Sequence, residues 1–101
     1  NKNLSVIGKN ILVPVASDKD LSGAILIQAD ATIYKAELEK GKEINYTLDS
    51  DRGVLVYVTD GTLEINGETF GKEDQARVEN EKSLLLSSKE GSRFVLIDVI
   101  L

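Results

Sequence analysis

The sequence predicts an all-β domain, a sandwich or barrel with little or no helix, and three observations lead to that fold class. Apolar residues recur mainly with a period of two, which is typical of half-buried strands. Turn residues interrupt these runs at roughly the spacing that sandwiches and barrels show, about eight to twelve residues. No stretch long enough for an amphipathic helix, about 11 residues, carries an apolar stripe at helical spacing.

The individual strands follow from runs rich in Val, Ile, Thr, Tyr and Phe, which suit a pleated surface. Pro14 lacks a backbone donor, so we expect the first run at a sheet edge or as an entry segment. Asn66 and Gly67 tolerate the positive φ of a type I′ turn and predict a tight hairpin, with the flanking acids Glu64 and Glu68 exposed. The predicted strands cover residues 11–15, 24–27, 31–38, 43–48, 54–58, 62–65, 75–78, 83–86 and 93–99.

Length and composition indicate one domain. The 101 residues include 42% apolar side chains, enough for a core without disulfides or metal. We divide the chain into a linker or N-terminal extension, residues 1–10, and a single β domain, residues 11–101. Because the first residue is Asn1 and not Met, we interpret the chain as processed, truncated or a piece of a longer protein.

Charge and residue content exclude several classes of function. A net charge of −5 argues against binding nucleic acid or an anionic membrane surface, both of which require clustered Lys and Arg. The sequence contains no histidine and no cysteine, which excludes Ser-His and Cys nucleophiles and zinc sites built from nitrogen and sulfur ligands. We therefore expect no metal and no cofactor. The absence of cysteine also fits a reducing compartment, and we expect the cytoplasm.

Carboxylates are the remaining candidates for metal binding or acid–base chemistry. Asp18 and Asp20 resemble the start of a calcium loop, but the third acidic residue and the distal Glu of that loop are missing. We interpret this segment, and equally Asp49 and Asp51, as solvated turns. Asp98 lies inside an apolar run, so we expect a partly buried carboxylate with structural partners. The tyrosines and phenylalanines either line an aromatic pocket or belong to the core.

Three stretches carry a resemblance to a known family. Residues 55–67 contain a predicted strand, an Asp-Gly turn, a second strand and an Asn-Gly turn, and they look like the central hairpin of a cupin. Residues 72–78 lie where cupins carry their second motif. Residues 94–99 look like the last strand of pirin-like bicupins. Taken together, residues 18–99 resemble the C-terminal cupin domain of pirin-like, quercetinase-type proteins. The resemblance implies a cupin jelly roll and, for full-length relatives, quercetin 2,3-dioxygenase activity.

The same resemblance implies where metal ligands would stand. Active cupins use two His and a Glu in the first motif and a His in the second. These positions fall on Thr47, Asp49, Gly53 or Val54, and near Val78. Only Asp49 is a usual ligand, so the resemblance implies that the metal ligands are absent here. Strand alternation also predicts that Thr47 and Asp49 lie on the outer side of their strand.

Three functions are compatible with these observations. The first is a metal-free, non-catalytic accessory domain that packs against an N-terminal cupin of the same protein or against a second copy. The second is a free-standing barrel that binds a small molecule. The third is part of a metal-dependent flavonol dioxygenase whose active site lies in an N-terminal domain outside this chain. The residues that we expect to line a pocket are Tyr34, Tyr46, Thr47, Asp49, Tyr57 and Val78.

Overall fold

A computed structural model describes residues 9–17, 24–26, 30–49 and 51–100. All regular elements in these ranges are strands, arranged in two sheets, which confirms the predicted fold class. None of the described residues forms a helix that could cross a membrane. The strands are β1 (Val13–Ser17), β2 (Ile25–Leu26), β3 (Ala31–Leu38), β4 (Glu43–Thr47), β5 (Arg52–Gly61), β6 (Leu63–Ile65), β7 (Glu68–Phe70), β8 (Gln75–Val78), β9 (Ser83–Ser87) and β10 (Ser92–Ile100).

The larger sheet has six strands in the order β2-β1-β3-β10-β5-β8, and the smaller sheet has four in the order β4-β9-β6-β7. All described pairings between these strands are antiparallel except that of β1 with β2. The long strand β10 lies between β3 and β5, with Leu96 opposite Tyr34 on one side and Val56 on the other. The last strand of the chain is thereby the centre of the larger sheet.

The core lies between the two sheets. On β5 the side chains of Val54, Val56 and Val58 are buried, whereas the alternate residues Leu55 and Tyr57 are exposed on the outer side. This is the period of two that the sequence shows. Aliphatic side chains and one phenylalanine fill the interior: Ala36, Leu38, Leu48, Leu63, Ile65, Leu84, Leu86, Phe94 and Leu96.

The predicted hairpin is confirmed. Asn66 and Gly67 have φ values of 50° and 88°, and Ile65 pairs with Glu68 across the turn. The expectation that both flanking acids are exposed is wrong for Glu64, which is buried with 9% of its surface accessible. The reason is tertiary, because β6 lies between β7 and β9 in the smaller sheet.

Strand boundaries differ from prediction mainly where backbone pairing continues beyond the apolar run. β5 extends to Gly61 because β10 pairs with it along its length, around an irregularity at Arg93 and Phe94. β1 begins at Val13 and has a bulge between Pro14 and Ala16. Segment 18–20, considered above as a calcium loop, lies outside the described residues.

Lys9 and Asn10, assigned above to the extension, lie against the end of β3. Asn10 N–H donates to the Glu37 carbonyl at 2.8 Å, and Lys9 forms an isolated parallel bridge with the same residue. The Asn10 side chain makes two further hydrogen bonds with Glu39, one of 2.8 Å to its carboxylate and one of 2.9 Å from its backbone N–H. These bonds attach the segment before β1 to the larger sheet.

Candidate functional site

One end of the interior is polar, next to the turn between β4 and β5. We call this group the Arg52 cluster; it comprises Asp30, Tyr34, Tyr46, Arg52 and Asp98. Strand parity explains its position, since the Asp98 side chain lies on the same face of β10 as the buried Phe94 and Leu96. Because the side chains of Arg52 and Asp98 are largely shielded from water, their polar groups require partners.

Arg52 is the centre of the cluster. Its Nε–H donates to Asp98 Oδ1 at 2.6 Å, and Nη1 donates to Asp30 Oδ1 at 2.9 Å. Nη2 donates to the carbonyls of Asp30 and Asp98 at 3.2 and 3.3 Å. The Arg52 and Asp98 side chains are only 14% and 13% exposed, whereas Asp30 is 46% exposed. The ion pair of Arg52 with Asp98 is therefore largely shielded from water, whereas the pair of Arg52 with Asp30 is not.

Tyr46 links this pair to the opposite sheet. Its hydroxyl donates to Asp98 Oδ2, so that β4 of the smaller sheet is joined to β10 of the larger one. The Tyr34 and Tyr46 rings are in edge-to-face contact, with centroids 5.7 Å apart and planes at 72°. Burial, followed by the hydrogen bond to Asp98, raises the pKa of Tyr46 well above its ordinary value. Tyr46 therefore remains a neutral hydrogen-bond donor at physiological pH.

The electrostatics of the cluster favour a structural role. Hydrogen bonding to Asp98 raises the pKa of Arg52 above its ordinary value, so the guanidinium is permanently charged. Four of its five N–H groups have acceptors in the contacts above, and both oxygens of Asp98 accept a bond. Few donors or acceptors are left for a ligand.

The structure brings together two of the predicted pocket residues and separates the others. Tyr34 and Tyr46 touch each other and pack against the core. Val78 is half-buried opposite Val54 and lines a groove of about 450 Å³ between the 66–70 hairpin and β8. Tyr57 is on the outer face of the larger sheet, where it lines a depression of about 530 Å³.

The positions assigned to metal ligands do not form a metal site. Thr47 and Asp49 are exposed, as alternation predicted, whereas Val54 is part of the core. Among the described residues, no three acidic side chains approach closely enough to hold a metal ion together. Asp98, on the inner face of β10, already accepts bonds from a guanidinium and a phenol. Of the residues at the assigned positions, only Asp49 carries a side chain that metal ions commonly use.

Sequence reasoning found part of the cluster and missed its centre. The position of Asp98 in an apolar run indicated a satisfied carboxylate, and the structure supplies its partners. Asp30 stands out in the sequence only as a carboxylate next to a predicted strand, and Arg52 was not identified, because it follows the turn residues Asp49 and Asp51 and looks like an ordinary surface charge. A signal was present nonetheless: a carboxylate on the inner face of a strand requires a cation or several donors nearby.

Comparison with known proteins relates this chain to a protein family. The family model described as "Quercetinase C-terminal cupin domain" matches residues 14–99. A pirin-like protein of Caulobacter vibrioides is 29% identical over 79 residues, which cover 78% of this chain and 34% of that protein. The chain thus spans about a third of the length of this relative.

Two solved structures show the same fold. The bacterial pirin YhhW from Escherichia coli, solved in complex with nickel(II), has a TM-score of 0.86 at 21% identity, covering 89% of this chain and 39% of that one. A quercetin 2,3-dioxygenase from Acinetobacter baumannii has a TM-score of 0.70 at 15% identity, covering 88% of this chain and 32% of that one. On the family match, the chain belongs to the C-terminal cupin domains of the pirin-like, quercetinase-type proteins.

Proposed function

We propose that this domain is a metal-free, non-catalytic accessory cupin of a pirin-like protein. The observation that supports this most directly is the Arg52 cluster, in which a guanidinium and a phenol occupy both oxygens of Asp98. A cation is already in place beside that carboxylate, so a metal ion would have to displace Arg52. The role that we assign to the domain is packing and association, in a reducing compartment such as the cytoplasm.

The second support is the filled interior. Side chains of the two sheets meet in an aliphatic core, and the half-buried tyrosines Tyr34 and Tyr46 are packed against it and against each other. A domain of this kind supplies a rigid surface more readily than an enclosed reaction chamber. In this proposal any quercetin 2,3-dioxygenase chemistry of the full-length protein belongs to a different domain.

Metal analysis tests the proposal. The chain is purified without chelators, and its content of Ni, Fe, Cu and Mn is measured by mass spectrometry, with nickel(II) titrated into it by calorimetry. YhhW, which was crystallised with nickel(II), serves as the positive control. We expect no stoichiometric metal in this chain and no turnover of quercetin. One tightly bound transition metal per chain would overturn the proposal.

The small-molecule alternative has its own test. The half-buried Val78 and the exposed Tyr57 line different depressions on the surface. A thermal-shift screen of flavonols and sugars would reveal a ligand, because a compound at 100 times its Kd raises the free energy of unfolding by about 2.7 kcal/mol. We expect no such stabilisation. A reproducible hit that Val78→Ala abolishes would favour the binding barrel instead.

A further inference from the structure

One side of the sandwich ends in an edge strand of each sheet, β7 of the smaller sheet and β8 of the larger one. In the part of the chain that the structure describes, β7 pairs only with β6, and β8 pairs only with β5. The groove of about 450 Å³ that Val78 lines lies between these two edges. We call it the β7–β8 groove, and its apolar lining consists of Ile65, Phe70, Ala76 and Val78.

The floor of the groove is continuous with the core. Ile65 belongs to the core, and only 4% of its surface is accessible. Phe70, Ala76 and Val78 are half-buried and pack against the same core from the two edges. Because burial of apolar surface is favourable, an apolar side chain of a partner that entered the groove would extend the core outwards.

Hydrogen bonds hold both ends of the groove in place. The Asn66 side chain accepts a bond of 2.8 Å from the backbone N–H of Leu85, which fixes the tip of the hairpin to β9. In the turn between β7 and β8, the Asp74 carboxylate accepts a bond of 2.8 Å from the backbone N–H of Gly71. The groove is therefore formed before a partner arrives, and a preformed surface lowers the ordering cost of binding.

The strand β8 presents main-chain hydrogen-bonding groups along the rim of the groove. In an antiparallel pair, about half of the N–H and C=O groups of a strand point towards its neighbour. Among the described residues β8 has a neighbour on one side only, so the remaining groups point away from the sheet. Its residues Gln75–Val78 give an edge of about 14 Å, enough for about four residues of an extended peptide. Peptides that pair with such an edge are held by main-chain hydrogen bonds.

The charges around the groove select the chemistry of the partner. Three of the four charged side chains that line it are acidic, namely Glu68, Glu79 and Glu81. The fourth, Arg77, is already bonded to the Glu79 carboxylate. A basic side chain would therefore be attracted to the rim, whereas an acidic one would be repelled. Two copies of this chain would bring two acidic rims together, so charge argues against self-association through this groove.

We propose that the β7–β8 groove binds an extended basic segment of another protein, which adds a strand to β8. An apolar side chain of that segment enters between Phe70 and Val78, and a lysine or arginine meets Glu68 and Glu81. This function goes beyond the accessory role, because it assigns a surface and a partner chemistry that do not depend on whether the domain holds a metal. A second copy of this chain and a free polyamine are the competing occupants.

Fluorescence anisotropy with designed peptides tests the proposal. The probe is an acetylated and amidated hexapeptide that alternates lysine and valine and carries a neutral dye. One control peptide alternates glutamate and valine, and another alternates lysine and serine. We expect the lysine–valine peptide to bind at least about tenfold more tightly than either control, because each control lacks one of the two contacts. The absence of saturable binding, or equal binding of the three peptides, would overturn the proposal.

Matched charge variants separate the groove from the net charge of the chain, which is −5. Glu68→Gln combined with Glu81→Gln removes two exposed charges beside the groove. Glu43→Gln combined with Glu90→Gln removes two exposed charges elsewhere and changes the net charge equally. We expect the first pair to weaken binding about fivefold and the second pair less than about twofold, with unchanged urea unfolding in both. Equal losses would mean that only long-range attraction acts, and the proposal would fail.

Amide hydrogen exchange measured by NMR locates the bound peptide. We expect slower exchange in residues 75–78 and no change in β4, the edge strand on the opposite side of the smaller sheet. Protection at β4 without protection at β8 contradicts the assigned surface. Spermine that competes as strongly as the lysine–valine peptide identifies a free polyamine as the occupant. Protection at β8 that grows with the concentration of the chain alone identifies a second copy, and either result replaces the peptide.

Discussion

The substitution Asp98→Asn tests the Arg52 cluster most directly. It keeps the size of the side chain and removes its charge, which leaves the guanidinium of Arg52 without its closest counterion. Both members of the pair are more than four-fifths shielded from water. The amide also offers only one oxygen, so it loses the bond that it accepts from Tyr46 unless the phenol reverses and accepts from the amide N–H.

The magnitude follows from the burial of the pair. Removing one partner of a buried ion pair costs about 3–5 kcal/mol when the other charge is left uncompensated. Arg52 keeps Asp30 and two carbonyl groups, so we expect a loss that starts somewhat below this range, about 2–4 kcal/mol. A domain of this size has a total stability of about 5–15 kcal/mol, so the substitution should remove a large part of it.

Urea denaturation followed by circular dichroism measures the effect, with two matched controls. Asp30→Asn removes the exposed partner of the same guanidinium and should cost no more than about 1 kcal/mol. Glu79→Gln removes the exposed partner of Arg77 and should be nearly neutral. The double variant Asp98→Asn with Tyr46→Phe should lose less than the sum of the single losses, because both remove the same bond.

Two results would refute this reasoning. If Asp98→Asn cost as little as Glu79→Gln, the cluster would not be a shielded ion pair. If the losses of Asp98→Asn and Tyr46→Phe were additive, the phenol would not be coupled to the carboxylate, and the link between the two sheets would have no energetic basis.

Two further predictions concern a glycine and a tyrosine. Gly61→Ala should lower the free energy of unfolding by more than about 2 kcal/mol, because φ is +73° and the added Cβ would lie 2.1 Å from the carbonyl oxygen of Gly91. Gly67→Ala, with φ of +88° and open space, should cost only about 1 kcal/mol, and equal losses in urea would contradict the steric explanation. The pKa of Tyr46 is higher in the folded chain than the ordinary tyrosine value of about 10, so the folded state holds this proton more tightly than the unfolded state. This contribution to stability is fully present below pH 10. It is lost as the pH rises further, by up to about 1.4 kcal/mol per pH unit. Thermal unfolding between pH 9 and 11.5 should show a shallower loss in Tyr46→Phe than in Tyr57→Phe; parallel curves would contradict the assignment.

Local features of the sequence predicted the architecture well. The hairpin at Asn66 and Gly67 depends on positive φ in two adjacent residues, a property that neighbouring residues encode by themselves. Alternation along β4 predicted that Thr47 and Asp49 lie outside, because side-chain direction in a strand follows directly from parity. The burial of Glu64 was not predicted, because it depends on β9, which is distant in sequence.

The candidate site was less accessible to sequence reasoning. Its members come from four separate segments, and the contacts of Arg52 join residues 22 and 46 positions apart. No short motif encodes such a set. The same holds for the outer side of the larger sheet, where Leu55, Ile97 and Ile33 are neighbours only through strand register.

The sequence by itself determined that this protein is an all-β domain without the nitrogen and sulfur ligands of a metal enzyme, because period, turn chemistry and residue content are local properties. Only the tertiary structure decided what occupies the polar end of the interior and which face remains apolar and exposed. The physical reason is that pairing an inward carboxylate with a distant arginine, and aligning outward apolar side chains across strands, both depend on register, which is fixed when the sheets assemble.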